Sequence, residues 1–281
     1  MGERGLFGPD SVTWQLHADP AMWLGGVRSL YLQALHPRAV AAIVQNSDFR
    51  TDPLGRLKRT ADFVGVTTYG TVQEAHAAAA RVRGVHRALR ATDPESGETY
   101  RIDDPELLLW VHCAEVSSFL AVVRRAGYPL TKVHADRYLH EQRATAALVG
   151  LDPDEVPGST DAMRAYLREI RPLLRRTPDA DVIYAFLHRP PLRGRLAFGV
   201  ALYEPTIGHL SYSLLPTWAH HHYGRSPYPR GMTTALARAL RSTAPHLRGV
   251  IRALGAPEPA VVAAVRRLGA WSAPSPHRLP A

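Results

Sequence analysis

Cysteine is nearly absent: Cys113 is the only one in 281 residues, and it sits in an apolar run. A disulfide within the chain and a thiolate zinc site are both excluded, and a reducing, cytoplasmic location is expected. Lysine is almost as scarce, since Lys58 and Lys132 are the only two among 34 basic residues. The net charge of +9 invites a nucleic-acid reading. The arginines are scattered over most predicted helices, however, rather than gathered with aromatics on one element, so no nucleic-acid partner is expected. Also missing are sustained apolar/polar alternation, a Gly-rich phosphate loop after a strand, a repeat of fixed period and a Gly-x-Ser-x-Gly elbow. Long uncharged runs are missing too. The stretch from Leu107 to Val123 contains His112, Glu115, Ser117 and Ser118 and is marginal in length for a bilayer, so it reads as a buried core helix and no membrane span is expected. The N-terminus lacks a long apolar core for secretion, and Leu6 departs from the myristoylation pattern.

What the chain does have is helical punctuation and a 46% hydrophobic composition, ordinary for a globular core. Asp19-Pro20, Asp52-Pro53 and Asp104-Pro105 each pair a capping carboxylate with a proline at the first helical position, where its missing N–H is no loss. Thr71-Val-Gln-Glu74 is a capping box, and Gly70, Gly127 and Gly150 mark helix ends. The segment 91–103 reads as a loop or a small hairpin. Later helices are expected over 131–149, 160–174, 178–188, 194–214 with a break near Pro205, 216–223, 232–254 and 257–268. The fold expected is all-α, a single domain of roughly ten helices. A loose N-terminal arm (1–10) precedes the helical catalytic domain (11–270), and a Pro-rich tail (271–281) follows it.

Two consecutive helices, 53–69 and 71–89, stand out. On the first, Arg56, Arg59, Thr60 and Phe63 share a face, so two guanidiniums there call for an anionic partner. On the second, Ala75, Ala79, Val82, Val85, His86 and Leu89 recur at spacings of three and four, which turns His86 toward the apolar side. In the helix after Asp104, His112 and Glu115 lie one turn apart. A carboxylate in such apolar surroundings is neutral, paired or hydrogen-bonded, and an arginine is the obvious partner. Gly25-Gly26 sits inside a helix at a cost of roughly 2 kcal/mol against alanine. That points to close approach of another backbone, a flat ligand, or a simple kink.

A di-iron bundle needs Glu-x-x-His twice, whereas His112-x-x-Glu115 is reversed and occurs once. His220, His221 and His222 are consecutive, so on a helix they point about 100° apart and cannot converge on one ion. An imidazole on an apolar face with arginines on the neighbouring helix is what a haem needs for its axial ligand and its two carboxylates. From the residues alone, the same pattern also describes a core histidine bonded to a carbonyl.

Several stretches resemble the family that contains the latex-clearing proteins (rubber oxygenases) and the MpaB oxygenase. In order they are Trp14-Gln-Leu-His-Ala-Asp-Pro20, Gly25-Gly26, Gln33-Ala-Leu-His-Pro37, Ser47-Asp-Phe-Arg-Thr-Asp-Pro53 and Gly55-Arg-Leu-Lys-Arg-Thr60. Val82-Arg-Gly-Val-His86, Asp104-Pro-Glu-Leu-Leu-Leu-Trp-Val-His112 and Leu214-Leu-Pro216 follow. The resemblance implies a haem b protein with a helical, globin-like core and a histidine as proximal iron ligand. His86 matches that ligand best, with His112 as the alternative. Arg56, Gly25, Gly26 and His36 are the further cofactor contacts it suggests. Where the rubber-cleaving branch has Arg-x-x-Lys-Thr, this chain has Arg56-x-x-Arg59-Thr60. A guanidinium holds its proton and is no ordinary iron ligand, so the resemblance implies an open or water-occupied distal position. The glutamate that the same branch places upstream is missing, because no glutamate lies between Glu3 and Glu74.

The expectation is therefore a haem b-dependent oxygenase or oxidase. It uses dioxygen or peroxide on a small, largely apolar molecule, and polyisoprene is not the expected substrate. Arg56, Arg59 and Thr60 are the expected donors to the oxygen substrate or to a propionate, and Glu115 is the candidate buried acid or base. The competing readings are a haem carrier or sensor without turnover, an arginine-rich module for nucleic acid, and a haem-free helical scaffold.

Overall fold

The computed structural model describes residues 5–191, 199–253 and 258–280, the side chains of 247–253 excepted. Two helices make the axis of the protein: α2 (Met22–Gln33) and α6 (Pro105–Arg125). They run antiparallel, with Gly25 against Phe119 at one end and Trp110 Nε1 donating to the Gln33 carbonyl at 3.2 Å at the other. Around them lie α1 (Val12–His17), α3 (Pro37–Asn46), α4 (Pro53–Tyr69), α5 (Val72–Ala88), α7 (Lys132–Val149), α8 (Thr160–Glu169) and α9 (Pro178–His188). The chain continues through α10 (Val200–Tyr203), α11 (His209–Ser213), α12 (Thr217–Tyr223), α13 (Arg230–Ala253) and α14 (Ala260–Leu268). The fold is predominantly α, as expected. β1 (Arg90–Thr92) and β2 (Thr99–Arg101) form an antiparallel hairpin, the only sheet among the described residues.

α6 is apolar on nearly all sides because it serves two cores. Leu107, Trp110 and Ala114 pack with Tyr31, Leu35, Leu187 and Tyr223 on one side. Cys113, Val116, Phe119 and Val123 pack with Leu16, Leu24 and Tyr138 on the other. This helix is long and apolar enough to cross a membrane by length and composition, yet most of it is buried in protein.

Several boundaries differ from the sequence reading. Asp19 does not cap α2 directly: its Oδ1 accepts from Ala21 N at 3.0 Å, one turn early, and its Oδ2 takes Arg241 Nε of α13 at 2.7 Å. The expected break near Pro205 is instead a π-helical turn, Glu204–Gly208, between α10 and α11. Proline removes an intrahelical donor, and one wide turn accommodates that loss without stopping the helix. The expected helix start at Gly194, the end at Leu254 and the start at Pro257 lie outside the described residues. The arm and tail are not loose where described. Phe7 is 5% exposed. The tail folds back so that Trp14 Nε1 donates to the Ser272 carbonyl at 2.9 Å and Ser275 N to Gln15 Oε1 at 2.6 Å.

Candidate functional site

α4 begins where the sequence places it. Asp52 Oδ1 accepts from Gly55 N at 3.0 Å, with Pro53 at the first helical position. A Cβ on Gly55 would lie 1.9 Å from Asp52 Oδ2, so any larger residue there would have to displace the capping carboxylate. Arg59 then separates from Arg56. It is solvent-exposed and reaches back to Asp48 Oδ1 at 2.6 Å and Asp52 Oδ2 at 3.1 Å. Its anionic partners are thus supplied by the loop before α4, and its role here is to fasten the helix start.

Arg56 turns inward instead. Its Nη1 donates to Thr60 Oγ1, one turn on. Burial lowers its pKa and the nearby Arg59 adds to that, while Asp48 and Glu115 oppose it. Glu115 of α6 lies among buried neighbours but is itself only partly buried. Burial raises its pKa to about 7 against the pull of Arg56. His86, near the end of α5, is half-buried and its pKa is lowered by burial; Asp103 opposes the shift and Arg56 reinforces it. Arg56 therefore stands within electrostatic reach of both Glu115 and His86, and three candidate residues from α4, α5 and α6 share one region.

Two imidazole nitrogens are orphaned. His86 Nδ1 and His112 Nε2 are buried with no hydrogen-bond partner among the described residues. Such a group normally finds a partner, so two in one protein call for an explanation. Burial lowers the pKa of His112 to about 4, which leaves a neutral ring with a free lone pair at neutral pH.

The remaining candidates sit elsewhere. Gly25 is used in helix packing: a Cβ there would meet Phe119 Cδ1 at 2.9 Å and Phe119 Cα at 3.1 Å. Gly26 has only Phe119 Cε1 at 3.9 Å. α2 runs unbroken through both, so there is no kink, and the close backbone approach accounts for Gly25 alone. His36 caps α3, its Nδ1 accepting from Ala39 N at 3.3 Å. On α5 the buried positions are Ala75, Ala78 and Ala79, whereas Val85, expected on the apolar face, is 54% exposed. Of the consecutive histidines, His220 makes a hydrogen bond, with Nε2 2.9 Å from the Tyr212 carbonyl oxygen, and His222 lies edge-on to Trp218. No group of three potential metal ligands forms among the described residues.

Sequence reasoning missed two features. Arg28 is 5% exposed, donating to the Leu214 carbonyl at 2.8 Å and to Ser118 Oγ at 2.5 Å. Its position four after Leu24 and three before Tyr31 was a legible signal, since it puts a cation on an apolar stripe. The second is a cleft of about 560 Å³ lined by Phe49, Tyr184, Phe186, His188, Glu204 and Arg225, which holds none of the candidate residues. Nothing in the sequence joins those positions.

No curated protein and no solved structure shows significant similarity to the chain. A family model described as the ER-bound oxygenase mpaB/B′ and rubber oxygenase catalytic domain matches residues 14–248. That range contains Arg56, His86, His112 and Glu115 and most of the chain, and the protein accordingly belongs to the mpaB/rubber oxygenase catalytic-domain family.

Proposed function

We propose that this oxygenase-family protein depends on haem b and oxidises a small, largely apolar molecule with dioxygen or peroxide. The observation that carries the reading is the orphaned buried imidazole nitrogen of His86 within electrostatic reach of Arg56, which also acts on Glu115; His112 carries a second orphaned nitrogen on α6. A neutral imidazole held in an apolar setting, with a guanidinium free of a carboxylate ion pair, fits the needs of an iron porphyrin. His86 would hold the iron, with His112 as the other candidate ligand, and Arg56 would meet a propionate. Bound there, the group would supply activation of the oxygen substrate.

The chain's own residues set the rest of the chemistry. Thr60 Oγ accepts from Arg56 and so fixes the direction of the guanidinium, which keeps a positive charge turned into the site. Glu115, with its pKa near 7, can give or take a proton at its carboxyl under ordinary conditions. Arg59 is engaged by Asp48 and Asp52 and does not replace the lysine of the rubber-cleaving branch. Polyisoprene remains an unexpected substrate for that reason.

The test is an absorbance spectrum of the purified protein with a haemochrome assay. A Soret band and about one haem per chain are expected. A colourless protein that also refuses added haemin would overturn the proposal. His86→Ala should abolish haem retention, and an unchanged Soret band in that variant would move the ligand role to His112.

A further inference from the structure

A hydrogen-bonded line of side chains lies outside the site just described, on the far face of α2. Tyr31 is fully buried, and its hydroxyl is 2.7 Å from His188 Nδ1. His188 Nε2 is in turn 3.2 Å from His209 Nδ1. With Nδ1 bare, Tyr31 O–H donates to Nδ1 and Nε2–H donates to His209; the Tyr184 carbonyl oxygen, 3.2 Å from Nδ1, accepts from that nitrogen once it is protonated. The Gly208 carbonyl is a longer alternative for the phenol at 3.2 Å. The arrangement is held by the π-helical turn. Gly208 presses so closely on the end of α9 that a Cβ would lie 2.9 Å from the Leu187 carbonyl oxygen, and the next residue, His209, is delivered to His188. Around Tyr31 the rings of Tyr184, Tyr212 and Tyr223 stand at centroid distances of 5.8, 5.7 and 6.4 Å.

We propose that Tyr31 is a redox-active tyrosine whose phenolic proton passes to His188 when the ring loses an electron. One electron leaves Tyr31 for a one-electron oxidant, the phenolic O–H bond breaks, and an N–H bond forms at His188 Nδ1. The products are a neutral phenoxyl radical, an imidazolium and the oxidant reduced by one electron. Passing the Nε2 proton to His209 carries the positive charge toward Glu204, whose carboxylate acts on both histidines and is itself paired with Arg189. Burial supports the coupling. It pushes the Tyr31 phenol well above its ordinary pKa, so ionisation before oxidation is closed. It lowers His188 to about 4, so the ring is neutral at neutral pH and one of its two nitrogens is free to take a proton. His188 and Tyr184 border the open cleft. In the working protein this line would drain oxidising equivalents from the oxygenase site. That role alone rests on the proposed function, and the redox site itself does not.

The experiment uses the full chain without added haem, oxidised by a photogenerated ruthenium(III) tris-bipyridyl complex and read by electron paramagnetic resonance. A tyrosyl signal with an exchangeable-proton coupling is expected. It should vanish in Tyr31→Phe, persist in Tyr212→Phe, and fall in yield by roughly a hundredfold in His188→Gln, where the base is lost. A signal unchanged in Tyr31→Phe, or undiminished in a folded His188→Gln, overturns the proposal. If Tyr31→Phe fails to fold, 3-fluorotyrosine in place of Tyr31 keeps the hydroxyl and adds a fluorine splitting to its radical. Absence of that splitting is then the refuting result. Because no haem is present, failure here leaves the haem reading standing, and a colourless protein leaves this proposal standing.

Discussion

Replacing Gly25 with alanine places a Cβ 2.9 Å from Cδ1 and 3.1 Å from Cα of Phe119, the second of which cannot swing away because it is backbone. The α2–α6 axis must open by a few tenths of an ångström, at the ~1–3 kcal/mol typical of overpacking a well-filled contact. Alanine also returns about 1 kcal/mol of helix propensity. The net expectation for Gly25→Ala is a loss of about 0–2 kcal/mol. Gly26→Ala meets only Phe119 Cε1 at 3.9 Å, an ordinary contact, so it should keep most of the propensity gain. Neighbouring substitutions of identical chemistry should thus move stability in opposite directions, separated by roughly 2 kcal/mol. Urea unfolding of both variants at pH 7.5, with and without added haemin, measures the difference. A Gly25→Ala protein stabilised as much as Gly26→Ala would refute the close packing of α2 on α6. A Gly26→Ala protein that is stabilised without haemin but loses haemin affinity would show that the open side of the pair faces the cofactor.

Three further predictions follow from the same geometry. Gly55→Ala should drive Asp52 off its capping position and cost about 1 kcal/mol, and it should weaken haem retention more than a stability loss of that size explains, because α4 carries Arg56; an unaffected spectrum would separate the helix start from the site. Glu115 has a folded pKa raised above its unfolded value, so its contribution is fully present below about pH 4.5 and lost as pH rises through about 7. Glu115→Gln should therefore stabilise the protein at pH 8 by at most about 3 kcal/mol relative to its effect at pH 4.5, and should remove an inflection near neutrality from the activity profile. His17 and His112 have pKa values lowered by burial to about 3 and about 4, so their stabilisation is present above pH 6.5 and lost as pH falls. Each should cost about 1 kcal/mol per pH unit below 6.5, measured as urea midpoints at pH 7.5 and 5.5. A midpoint that rose on acidification would contradict their burial.

The helix starts at Asp52-Pro53, Thr71 and Asp104-Pro105 were legible because capping is local: the side chain that closes a helix lies within three residues of the donor it satisfies. The buried character of α6 was legible for a related reason, since apolar residues on every side need protein on every side. Spacing likewise put Arg56 and Arg59 on one face. Spacing could not tell that Asp48 and Asp52 would hold Arg59 in solvent while Arg56 turned toward Glu115. Nor could it tell that Gly25 would meet Phe119, because that contact exists only when helices 94 positions apart in sequence lie side by side.

The sequence by itself determined that the chain is helical and where most helices begin, and it set His112 and Glu115 as polar groups in an apolar helix. Periodicity and capping act over one or two turns and leave their mark in neighbouring letters. The tertiary structure alone decided which of these groups lose water and which meet. It lowered the pKa of His112 and raised that of Glu115 through burial, and it brought Tyr31, His188 and His209 into one line from three distant segments. Desolvation and hydrogen bonding depend on everything within a few ångströms, and chain order does not record that neighbourhood.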